Sequence, residues 1–142
     1  MENILTEKLR AYVLENNLDL VVRLQEGYSF MNYLKDKVAA VEPFMQHLIL
    51  EQKPEHIVVQ LCLDEMTREL RPSKFLYIRT VLEEEFPVEC AGFGASGVLT
   101  YEVTHLIDRC QAIFETFGFS EASADNHLLR HAVIAEMHDH IY

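Results

Sequence analysis

Leu99, Val103, Leu106, Cys110, Ile113 and Phe117 follow one another at intervals of four, three, four, three and four. An α-helix turns once every 3.6 residues, so this spacing lays the six side chains along one apolar stripe. A half-buried strand would instead need alternation of period two. The helical period recurs along the chain, in Leu5, Leu9, Tyr12 and Val13, and again in Phe30, Leu34, Val38, Val41, Met45 and Leu48. Ile57, Leu61, Cys62, Glu65, Met66 and Leu70 share a broad face, and Phe75, Ile78, Leu82 and Phe86 form a further stripe. No segment sustains period two. Five glycines and four prolines in 142 residues supply few turns, which also disfavours a strand-rich fold. The pattern predicts an all-α chain of about six helices in a compact array, one helical domain over residues 1–142.

Local signals place the boundaries. Asn16-Asn17 ends the first helix, and a short helix or turn is expected from Asp19 to Gln25, before Gly27. Ser29 and Ser73 suit N-caps, because a serine hydroxyl accepts from backbone N–H groups that a helix start leaves unpaired. Pro43 falls inside a stripe, so a kink or break is expected near Ala39 to Glu42. Pro54 suits the first turn of the next helix, which runs to Arg71-Pro72, and Pro87 stops the one after. Glu83 to Glu85 read as a solvated face. Gly118 fits the left-handed position that ends a helix, with Phe119 folding back onto it. Ser120 or Ser123 is expected to cap the last helix, which ends near Ile141. Residues 87–97 read as a glycine-rich loop before the last two helices, dividing a four-helix part from a C-terminal pair.

Charge narrows the function. Twenty-three acidic groups against 12 basic ones give −11, and residues 72–142 hold 11 acidic to 4 basic. Phosphate binding relies on Lys and Arg displacing counterions, so direct nucleic-acid binding is not expected. An acidic surface that imitates DNA is an alternative reading. Cys62, Cys90 and Cys110 occupy apolar positions and read as buried free thiols. The segment MENILTEKLR lacks the apolar core of a signal peptide, and no run approaches the ~20 apolar residues of a membrane span. A cytoplasmic location is expected.

Two motifs suggest chemistry. Gly92-x-Gly94-x-x-Gly97 matches the spacing of a dinucleotide loop, but such a loop follows a strand. Here LEEEFP, a helix end, leads in, Glu89 would repel an anion, and no lysine is present to complete a phosphate site. A permissive linker is the better reading, and no nucleotide or other cofactor is expected. The second motif is a run of histidines. With His127 at 0° on a helix, His131 lies at about 40°, His138 at about 20° and His140 at about 220°. His127 and His131 can share an ion, whereas His138 lies ~10 Å further along the axis. The helical metalloprotease pattern needs Glu after its first histidine, where this chain has Leu128. A metal-binding protein or metal-dependent hydrolase using His127 and His131 therefore stands as the alternative. Ser29 and Ser96 lack the strand-to-helix elbow of a hydrolase serine. Glu65 and Glu69 lie one turn apart, and Glu102 with His105 forms only half of a di-iron helical motif.

LRPSKFLYIRTVLEEEF, residues 70–86, resembles a segment of a family of small Bacteroidetes proteins, the domain of unknown function numbered eighteen ninety-six. LRAYVLENN, Phe30-Met31 and CQAIFETFGFSEAS are similar in order and spacing, so the likeness extends over nearly the whole chain. The glycine-rich stretch and the histidine-rich C-terminus depart from that pattern. The resemblance implies an all-helical fold and an accessory role in mobile elements, with no catalytic residue or cofactor to transfer. The residues and the resemblance together lead to the expectation of a non-enzymatic protein that binds another protein, a second copy of itself included.

Overall fold

The structure, a computed structural model, describes residues 1–24 and 27–142, and no strand occurs among them. Its helices are α1 (Glu2–Asn16), α2 (Leu18–Arg23), α3 (Phe30–Leu50), α4 (Glu55–Thr67), α5 (Lys74–Glu85), α6 (Pro87–Ala95), α7 (Leu99–Arg109), α8 (Gln111–Phe117) and α9 (His127–Ile141), with a 3-10 turn at Arg68–Leu70. Among the described residues there are thus nine helices rather than six. None is long and apolar enough to cross a membrane. Contacts divide the chain into two compact units, residues 1–15 with 23–70, and residues 16–22 with 71–142.

In the first unit, α1 buries Leu5, Leu9 and Val13, and α3 buries Leu34, Val38, Val41, Met45 and Leu48. Ser29 caps α3 by accepting from the Asn32 N–H at 3.1 Å. Of the kink or break expected near Pro43, the break is corrected: α3 runs through Pro43 without interruption for 21 residues. Proline deprives the Ala39 carbonyl of its helical partner, but Ala39 and Pro43 are both exposed, so water can take its place. Packed against α3, α4 buries Val58, Val59, Cys62 and Met66, while Ile57, expected on its apolar face, is exposed. Pro54 is the N-cap residue of α4 and precedes its first turn. The segment expected at Asp19 to Gln25 is α2, except that Gln25 lies outside the described residues.

The second unit is built round α5, which contacts α6, α7 and α9. Its core joins Phe75, Ile78, Leu82 and Phe86 to Val103, Leu106, Cys110 and Phe114, and to Leu129, Val133 and Met137 of α9; all are buried. Ser73 caps α5, accepting from the Leu76 N–H at 3.0 Å. The stripe that looked like one helix is two: at Cys110 the N–H is shared between the Leu106 and Ile107 carbonyls, and φ −90°, ψ 2° leaves the α basin for one residue. Gly118 takes the expected left-handed conformation, φ 59°, and Phe119 packs on Phe114 with ring centroids 4.7 Å apart. The last helix starts later than expected. Asn126, rather than Ser120 or Ser123, caps it, accepting from Leu128 and Leu129 N–H at 2.8 and 3.1 Å.

The glycine-rich loop is the largest correction. Residues 87–95 are helical, and α5 and α6 belong with the C-terminal helices, so no loop sets a C-terminal pair apart. Pro87 cannot extend α5, yet its fixed φ suits the first turn of α6. Burial of Cys90, with Phe93 packed on the same core, favours helix over the glycines' preference for coil.

Candidate functional site

The two motifs that raised functional questions line one groove. Its volume is about 500 Å³, and its walls come from α6 (Glu89, Gly92, Phe93, Ser96 at its C-cap), the first turn of α7 (Glu102) and the end of α9 (His140, Ile141). Gly92 and Ser96 of the glycine stretch thus share the groove with His140 and Ile141, and His140 contacts Glu102, 38 residues away in sequence. His140 had been set on the far side of its helix from the other three histidines, and that far side is the one that reaches the groove. Its Nε2 lies 3.1 Å from Glu102 Oε2, and its ring lies 4.8 Å from that of His105. Sequence reasoning named Glu102, His105 and His140 but did not bring His140 to the other two, because it comes from another helix.

The Tyr142 hydroxyl donates to the Glu89 carboxylate. This bond holds the Glu89 carboxyl below the ordinary carboxylate range and raises the Tyr142 phenol. At neutral pH the groove therefore presents a carboxylate at Glu89. No cation lines it. All four basic side chains of residues 72–142 are engaged elsewhere: Arg79 with Glu83, Arg109 with Glu136 at 2.8 Å, Lys74 with Gln111, and Arg130 with Glu84 and Glu85 at 2.8 and 3.0 Å. The glutamate run read as a solvated face thus supplies both anchors for Arg130.

Ser96 and His140 share the groove, but no hydrogen bond joins them, so the nucleophile-to-base contact of a serine hydrolase is missing. His127 and His131 lie elsewhere, exposed on the first turns of α9, with His138 also exposed further along. Among the described residues, no group of three or more His, Cys, Asp or Glu side chains is placed to hold a metal ion. Glu65 and Glu69 line a separate depression of about 220 Å³ beside Lys37, which pairs with Glu69. Cys62, Cys90 and Cys110 are buried free thiols, and burial raises each of them, so none is poised as a nucleophile.

The elements around the groove carry large apolar side chains that the protein leaves in water. Val88 is 78% exposed, Tyr142 72%, Tyr101 64% and Val98 39%. Val88 is on α6, Val98 and Tyr101 flank the start of α7, and Tyr142 follows α9. No family model, curated protein or solved structure matches the chain.

Proposed function

We propose that the protein is a non-enzymatic binding module that holds another protein against the groove formed by α6, the start of α7 and the end of α9. The observation that carries this reading is the exposure of Val88, Val98, Tyr101 and Tyr142 on or beside the three elements that form the groove. Single exposed apolar residues are ordinary on protein surfaces, but large ones on the same elements as a concavity with Phe93 and Ile141 in its walls are what a binding surface would carry. The expected accessory role in a mobile element belongs to this reading as a context for the partner, and adds no residue to it.

The test is a comparison of binding partners. Untagged wild-type protein and a Val88→Asp, Tyr101→Asp double variant are characterised by native mass spectrometry and by recovery of a reproducible partner. The variant should lose the partner while keeping its helical circular dichroism. Equal recovery by both proteins would place the interface elsewhere. The same spectra address metal binding by His127 and His131: a stoichiometric ion lost in His131→Ala would favour the metal reading.

A further inference from the structure

We propose that the groove receives a basic, amphipathic helix from a partner protein, its backbone against Gly92 and its Lys or Arg side chains against Glu89 and Glu102. This rests on the reading of the protein as a binding module and names the partner's chemistry. The first argument concerns two glycines for which the fold itself gives no reason. Gly97 has φ +75° and ends α6, as glycine should, but Gly92 and Gly94 lie inside the helix with ordinary negative φ. A Cβ at either position meets nothing within 4 Å. Neither packing nor backbone geometry requires glycine there, although each costs a helix about 0.5–1 kcal/mol relative to alanine. Bare backbone on an exposed helix lets a second backbone approach closely, and Gly92 and Ser96, one turn apart, line the same groove.

The second argument is charge. The groove presents Glu89 and Glu102 without a lysine or arginine, in a part of the chain holding 11 acidic and 4 basic groups. With those four cations engaged within the chain, a second acidic copy would meet repulsion, and so would a nucleic acid. A cationic segment complements the site. The third argument is shape. Phe93 and Ile141 form apolar walls, with Val88 and Tyr101 on the flanking elements, and no sheet edge exists among the described residues for a strand to extend. An apolar stripe laid in a groove with cations at its margin is the helix-in-groove mode of recognition.

The probes are three fluorescent peptides of about 18 residues, or five helical turns. One is an amphipathic Leu/Lys helix, one is the same pattern with Glu for Lys, and one has the Leu/Lys composition in scrambled order. Anisotropy with the full chain should show binding of the first only. Gly92→Ala should weaken it by about threefold and Gly92→Phe by about tenfold or more, steric losses of the order of 1 kcal/mol. Gly92→Ala should keep the fold, since its Cβ meets nothing within 4 Å, and an unchanged circular dichroism spectrum separates its weaker binding from unfolding. Glu89→Gln with Glu102→Gln should weaken binding by about tenfold and flatten its salt dependence, whereas Glu121→Gln with Asp125→Asn should leave it unchanged. Equal binding of the scrambled peptide would reduce the effect to bulk charge and overturn the proposal, as would binding of the Leu/Glu peptide. Equal affinity of wild type and the Gly92 and glutamine variants would also overturn it. If no peptide binds while the Val88→Asp, Tyr101→Asp variant still loses its partner, the basic-helix assignment fails and the binding-module reading stands.

Discussion

Gly118, at φ 59°, holds a conformation in which any Cβ crowds the following carbonyl, whereas Gly92 holds an ordinary helical one. The same substitution should therefore have opposite effects at the two sites. Gly118→Ala should cost about 1 kcal/mol, and Gly92→Ala should stabilise by about 0.5–1 kcal/mol, both read as midpoint shifts in urea. Gln52 supplies a third case. It is the one non-glycine residue with positive φ among those described, at 61°, just beyond α3. Its N–H donates to Ile49 and that of Lys53 to Leu48, the paired pattern also made by Gly97 with Val98 and by Gly118 with Phe119. Gln52→Gly should stabilise by about 1 kcal/mol, and a loss would mean that the glutamine side chain contributes more than the strain removes. Gly118 was legible in the sequence because it followed a stripe. Gln52 was not, because nothing in its chemistry announces a left-handed residue.

At the scale of the element, the N-caps separate what was legible from what was not. Ser29 and Ser73 cap as expected, since each stands directly before an apolar period. For α9 the expected caps were Ser120 or Ser123, and only the fold selects Asn126. Ser120 and Ser123 are occupied with each other, and the Ser123 hydroxyl also donates to the Gly118 carbonyl at 3.1 Å. Asn126→Ala should cost about 1 kcal/mol in urea unfolding. Ser120→Ala should cost less, and the reverse order would return the cap to the serines. Helix α6 was misread for a related reason: three glycines in six residues lower helix propensity, while the buried contacts of Cys90 and Phe93 that offset it are invisible in a local window.

For the whole molecule, burial sets the response to alkali. It pushes the Cys110 thiol up to about 12 from 9.0, and the Tyr33 phenol up to about 12 from 10.0. Below pH 9 both are protonated in folded and unfolded chains alike, and their contribution is fully present. Between about 9 and about 12 the unfolded chain releases protons that the folded chain retains, so stability falls as pH rises through that window. Melting temperatures should be level from about pH 7 to 9 and then decline, less steeply in Cys110→Ala. An identical decline in that variant would remove Cys110 from the account. Truncation of the core should act on a larger scale: Leu106→Ala, at a fully buried position, is expected to cost about 2–5 kcal/mol in urea unfolding.

The sequence by itself determined that this chain is helical, where most stripes face inward, and which serines and which glycine mark several helix ends. These features depend on residues within about four positions of one another, the reach of a helical turn. Only the tertiary structure decided that Pro87–Ala95 is a helix, that Arg130 bridges Glu84 and Glu85, and that Glu89 meets Tyr142 and Glu102 meets His140. Those partners lie 38 to 53 residues apart. Their pairing follows from which apolar faces pack together, a property of the assembled core that no local period encodes.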